Sequence, residues 1–281
     1  MKKFLAGLFL SVLVLALAAC GTDKKEDAGS TNVDSANENV TLKVGASNTP
    51  HAVILEKAKP ILAEQGIDLE IETYTDYVLP NQDLESGELD ANYFQHIPYL
   101  ELQIKDNGYD FVNAGGVHIE PIGIYSKKYK SLEELPEGAT ILLSNSVSDH
   151  GRMLSLLEAK GLIKLADDVD KTAAELKDVV ENPKNLVFDA NTAPEMLVQM
   201  YENDEGDAVL INSNFAIDNG LNPLEDAISL EDKESPYVNI IAVRSGDETK
   251  PEIKKLLEVL TSEEIQNFIL EEWKGAVVPV Q

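Results

Sequence analysis

Hydrophobic and polar positions follow two alternating rhythms from Val40 onward. Residues 40–44 (VTLKV) alternate with a period of two, which predicts a strand; 45–51 (GASNTPH) then reads as a turn rich in helix-capping residues. Over 52–65 the apolar positions Leu55, Ala58 and Leu62 fall at helical spacing. Pro60 conflicts with that spacing, so the helix is expected to kink there, and Gly66 ends it. The rhythm continues with a strand at 69–74, a short helix at 82–86, a strand at 90–94 and a helix at 98–107 with Pro98 in its first turn. Strands follow at 140–143, 186–189, 208–211 and 237–243, and helices at 151–160, 194–201, 251–260 and 262–273.

Alternating strands and helices at this spacing predict an α/β protein with mostly parallel sheets covered by helices. No internal repeat is visible. Two segments, 121–126 (PIGIYS) and 232–237 (DKESPY), are candidate crossings between lobes. A chain that crosses twice has a discontinuous first lobe, 40–122 with 237–281, and a continuous second one, 123–236.

The chain begins differently. Lys2 and Lys3 precede an apolar stretch over 4–19 that is shorter than the roughly 20 apolar residues a membrane-spanning helix needs. Small residues lead up to Cys20, the single cysteine. Residues 1–19 therefore read as a secretory signal and Cys20 as a lipidation site in a bacterial lipobox. Residues 20–39 contain almost nothing apolar and cannot bury enough surface to offset the entropy of ordering, so they read as a flexible tether. About 240 residues remain, enough for one large or two medium domains.

The formal charge of −27 argues against nucleic acid and against a basic membrane-binding patch. The motifs H-E-x-x-H, G-x-S-x-G, G-x-G-x-x-G and the P-loop are absent, so the pattern points away from an enzyme and calls for no cofactor. Four histidines (His51, His96, His118, His150) leave zinc binding as an alternative, although none are at i, i+4 spacing on a predicted helix.

Ligands of open α/β sheets sit beyond the carboxyl ends of the strands. Polar and aromatic clusters fall at those positions: 47–51, 76–77, 95–96, 145–152, 191–192 and 212–214. The stretch DANYFQHIPYL (90–100) is notable in a chain with only 6% aromatic residues, because it is either core or the wall of a site. Arg152, one of two arginines, is placed at the start of a predicted helix, where the helix dipole disfavours a cation. A bound carboxylate resolves that conflict, and so does a salt bridge to one of the many acidic residues.

The motifs Thr49-Pro50-His51-Ala52, Thr75-Asp76-Tyr77-Val78-Leu79-Pro80-Asn81, Phe94-Gln95-His96, Tyr125-Ser126-Lys127-Lys128 and Val180-Glu181-Asn182-Pro183-Lys184-Asn185-Leu186, together with the lipobox, resemble those of the methionine-binding lipoproteins of the NlpA/MetQ type. These are the solute receptors of ABC importers, and the resemblance covers nearly the whole chain. It implies two α/β lobes joined by a hinge, methionine in the cleft, a permease and an ATPase as partners, and an anchor on the extracytoplasmic face of the membrane. It further implies that Tyr77, Phe94, His96 and Tyr99 face the ligand, that Arg152 takes its carboxylate, and that Asn145 and Asn212 supply amide contacts. One departure stands out. The family's loop reads like P-N-D-x-x-N-x-G-R, whereas this chain has Ser144 in place of the proline and Asp149 in place of the second asparagine. Asp149 and His150 are therefore expected to tune the ligand, and another amino acid or a methionyl dipeptide is the alternative to methionine.

Overall fold

In the computed structural model, which describes residues 39–232 and 235–280, two separate sheets organise the chain. The signal, Cys20 and almost all of the tether lie outside the described residues. The order of elements is β1 (Val40–Ser47), α1 (Val53–Ala63), β2 (Ile67–Tyr74), α2 (Leu79–Ser86), β3 (Ala91–His96), α3 (Ile97–Asn107), β4 (Phe111–Ile119), β5 (Gly123–Tyr125), β6 (Thr140–Ser144) and α4 (Val147–Ala159). Then come β7 (Lys164–Leu165), β8 (Val179–Glu181), β9 (Val187–Thr192), α5 (Leu197–Glu202), β10 (Ala208–Ile211), α6 (Ser213–Asp218) and α7 (Pro223–Asp226). The last are β11 (Ser229–Leu230), β12 (Val238–Arg244), α8 (Pro251–Leu260), α9 (Glu263–Trp273) and β13 (Val278–Pro279). Among the described residues no helix is long and apolar enough to cross a membrane.

The first sheet has the order β13-β4-β12-β3-β1-β2, and the second β11-β5-β10-β6-β9. Parallel pairing holds where β-α-β units build the sheet: β1 with β2 and β3, and β6 with β9 and β10. The other side of each sheet is antiparallel, through β12 with β3 and β4, and β5 with β10 and β11. Both sheets are therefore mixed rather than mostly parallel. The chain passes from the first sheet to the second between β4 and β5 and returns between β11 and β12, close to the two expected crossings.

Each sheet has its own core. Leu42, Val44, Leu55, Leu62, Ile241, Leu256 and Ile265 join the first sheet to α1, α8 and α9. Ile124, Ile141, Leu143, Met153, Leu157 and Leu210 pack α4 on the second. Side chains of this size contribute about 1.5–3 kcal/mol each when fully buried. Helix α1 runs through Pro60 without a break.

Strand β4 escapes a reading by alternation because Gly115 and Gly116 interrupt it. A Cβ on Gly115 would come within 2.8 Å of Leu257, and one on Gly116 within 2.7 Å of Val238, so the strand passes too close to its neighbours for side chains. Helix α4 also begins earlier than expected, at Val147. Arg152 is thus in its second turn rather than at its start, and the dipole argument for a bound carboxylate lapses.

Candidate functional site

Strand β3 is buried along its whole length and runs directly into α3. His96 is both the last residue of the strand and the N-cap of the helix: its Nδ1 accepts the Tyr99 backbone N–H at 3.2 Å. That bond leaves Nε2 to carry the proton and donate to Asp149 Oδ1 at 3.1 Å. The abrupt strand-to-helix junction is what presents Phe94, His96 and Tyr99 together.

The opposite wall comes from the second sheet. Asp149 and Arg152 are three residues apart on α4, so they share one face of the helix, and both are buried. Gly151 between them is obligatory in this packing, since a Cβ there would meet the Lys171 carbonyl oxygen at 2.5 Å and the Thr172 backbone at 2.6 Å. Asn212 precedes α6, whose first residues Ser213 and Asn214 complete the wall.

These side chains line a cavity of only about 30 Å³, bordered by Tyr77, Phe94, His96, Tyr99, Asp149, Arg152 and Asn212, and also by His51, Glu120, Asn214 and Asn239. That is far below the roughly 300–1,000 Å³ of ligand pockets, so the walls must part to admit a ligand of amino-acid size. Tyr77 ties its wall together: its hydroxyl donates to Asn214 at 2.7 Å, its carbonyl accepts from Tyr99 at 2.7 Å, and its ring lies 4.9 Å from Phe215 and 6.0 Å from Phe94.

Arg152 is anchored before any ligand arrives. Its Nε donates to Glu231 at 2.9 Å, its Nη2 to the same carboxylate and to the Glu120 carbonyl at 2.5 Å each, and its guanidinium lies over Tyr237 at 4.8 Å. The salt-bridge alternative is therefore real. Nevertheless Nη1 makes no hydrogen bond among the described residues. Although burial opposes the charge, the attraction and hydrogen bonds of Glu231 outweigh it and hold the guanidinium firmly protonated.

Asp149 accepts from His96, from Asn212 Nδ2 at 3.2 Å and from Ser144 at 3.4 Å. Burial alone would raise its pKa, but the His96 contact, Arg152 and Asn212 outweigh burial and hold the carboxyl below its usual range. Asn212 Oδ1 is buried and has no partner among the described residues. A buried acceptor without a partner costs about 1–3 kcal/mol, which a donor in the cavity would relieve.

Behind this lining lies a second cluster. His118 Nε2 meets Glu120 Oε1 at 2.8 Å, and His51 Nε2 meets the same oxygen at 3.2 Å and Asn239 Oδ1 at 3.0 Å. Tyr93 closes the chain on His118 Nδ1 at 2.5 Å. Burial pushes the pKa of His51 down to about 4 and that of His118 down to about 3, so both are neutral at pH 7. Burial also pushes Glu120 up, against the pull of His51 and Arg152.

Of the residues expected at the site, Asn145 and His150 are elsewhere. Asn145 is exposed and its N–H is engaged with the Thr192 carbonyl. His150 turns back to the Ser144 carbonyl at 2.9 Å. Both belong to the right segment, but helical phase directs only Asp149 and Arg152 to the cavity. The four histidines do not gather around one point; His51 and His118 meet Glu120 instead. Glu120, Glu231, Asn239, Phe215 and Tyr237 were not expected at the site, because they reach it through tertiary packing. Ser213 and Asn214 were within a flagged cluster.

The sequence matches the family model described as NlpA lipoprotein over residues 42–281. It is 50% identical to the methionine-binding lipoprotein MetQ of Bacillus subtilis, over 100% of this chain and 99% of that one. Among solved structures, a nutrient-binding protein from Burkholderia cenocepacia bound to methionine is 40% identical with a TM-score of 0.80, covering 85% of this chain and 100% of that one. An ABC transporter periplasmic substrate-binding protein from Coxiella burnetii is 35% identical, also with a TM-score of 0.80, over 85% of this chain and 100% of that one. With a match across almost the whole described region, the chain belongs to the NlpA lipoprotein family.

Proposed function

We propose that this protein is a lipid-anchored receptor on the extracytoplasmic face of the membrane that captures methionine between two lobes and delivers it to the permease and ATPase of an ABC importer. The lobes are 40–122 with 237–281, and 123–236, a division supported by the membership of the two sheets. Cys20 carries the lipid. The methionine-binding names of the relatives and the methionine-bound neighbour support the ligand.

The observation that carries this reading is the pairing of a guanidinium and a carboxylate on one face of α4, directed into an aromatic-walled cavity. An amino-acid zwitterion presents the complementary pair. Its carboxylate takes Nη1 of Arg152. Its ammonium sits against Asp149 and supplies the donor that Asn212 Oδ1 lacks. The thioether side chain packs on Tyr77, Phe94 and Tyr99, where sulfur gains from ring edges. Capture and release require no covalent step, so the site works by binding alone.

The test is calorimetric titration of the Arg152→Ala protein with L-methionine, alongside the unaltered protein. Leaving one member of a buried charge pair without its partner costs about 2–5 kcal/mol, so affinity should fall by roughly 30-fold to several thousand-fold. Affinity within a few-fold of the unaltered protein contradicts the carboxylate role. Circular dichroism checks folding, because the same change leaves Glu231 without its ion pair.

A further inference from the structure

We infer that His51, His118 and Glu120 form a binding site for a single divalent cation of the zinc class in the inner wall of the cavity. Two histidines and a carboxylate present one donor atom each, all within 4.8 Å of one another and all buried. Both imidazoles aim Nε2 at the same oxygen, at 2.8 and 3.2 Å. Ligand atoms at ~2.0–2.1 Å from a tetrahedral zinc ion are about 3.3 Å apart. The two imidazole-to-carboxylate pairs thus need to open by only a few tenths of an ångström, while the two imidazole nitrogens lie within 4.8 Å of each other.

The donor set suits the ion. Two imidazoles and one carboxylate with a fourth position left open are a recurrent zinc arrangement, and the mixture is less suited to magnesium or calcium, which favour oxygen. A histidine binds a metal through an unprotonated ring nitrogen, and each of these rings turns Nε2 toward the shared carboxylate oxygen. Ion binding at Nε2 moves each ring proton to Nδ1. On His118 that nitrogen faces the Tyr93 hydroxyl, which then accepts and orients the ring, as outer partners of metal-bound histidines do. On His51, Nδ1 is buried without a partner among the described residues in either tautomer. The protonated network and the metal-bound one therefore compete for the same three residues.

Location gives the site a consequence. His51 and Glu120 both line the cavity, whereas His118 stands behind them. An ion would enter from the cavity, the side that His51 and Glu120 line.

The experiment titrates the full-length protein, purified without a histidine tag and stripped with chelator, with zinc chloride by calorimetry. Thermal unfolding is followed in parallel. One equivalent should bind and raise Tm. His118→Gln removes a ligand and should weaken binding at least 100-fold. Tyr93→Phe keeps all three ligands and the packing, and should weaken it by about 10–100-fold through the lost ring orientation. If His118→Gln does not fold, Glu120→Gln takes its place. No saturable binding by the unaltered protein overturns the proposal, as does an affinity that neither a ligand variant nor Tyr93→Phe changes.

Discussion

Acidification should destabilise this protein well above the pH at which ordinary carboxylates titrate, because of the two histidines in its interior. Unfolded, each histidine titrates near 6.5; folded, His51 titrates at about 4 and His118 at about 3. A depressed folded pKa means that the unfolded state binds the proton first. The stability tied to neutral histidines is thus complete above 6.5 and is lost as pH falls from there toward 4 and 3. Between pH 7 and pH 5 the loss is about 2 kcal/mol for each histidine, or about 4 kcal/mol for the pair. Glu120 acts in the opposite direction: its raised pKa lets the folded state take up a proton before the unfolded one, which offsets part of the loss. Against a total stability of roughly 5–15 kcal/mol, the remaining effect is large. Urea unfolding at pH 7, 6 and 5 in the presence of chelator measures it. The His118→Gln variant should lose close to half of the pH dependence. Equal stability at pH 7 and 5, or the same pH slope in that variant, would refute the reasoning.

Gly151→Ala places a methyl group against the backbone of Lys171 and Thr172, which cannot swing aside as a side chain would. It should lower stability by about 1–3 kcal/mol and weaken ligand binding by displacing Arg152; an unchanged Tm and affinity would count against the packing described. Asp149→Asn replaces a charge-assisted bond to the ligand ammonium with a neutral one, so methionine affinity should fall by about tenfold in calorimetry. Equal or tighter binding by that variant would mean that the carboxylate does not hold the ammonium. Asn212→Ala removes the unpartnered Oδ1 and a hydrogen bond to Asp149. It should weaken methionine binding measurably while leaving the zinc titration unchanged, and the reverse pattern would contradict both assignments.

The parts of the fold that were readable in the sequence are those governed by local rhythm. Helices α8 and α9 and strands β1, β6, β10 and β12 appear within a few residues of their expected places, because each buries one regular face. The rest was hidden for identifiable reasons. Strand β4 carries glycines where its neighbours come too close, which erases alternation. The first turn of α4 opens with the exposed Val147 and sends Asp149 to the cavity, so the apolar pattern starts only in its second turn. Antiparallel pairing of β12 between β3 and β4 is a long-range choice that no local pattern encodes. At the site, Tyr77, Phe94, His96, Tyr99, Asp149, Arg152 and Asn212 were legible from their positions near strand ends or from the family resemblance, and all line the cavity. Glu231 was not, since its role exists only once a residue 79 positions away is folded against it.

The most direct test of the receptor account is native mass spectrometry of the full-length protein, purified gently and then unfolded to release and identify whatever it holds. The account predicts one molecule of methionine per chain, lost in the Arg152→Ala protein. A different released molecule, or an empty cavity that L-methionine neither enters nor stabilises, would contradict it.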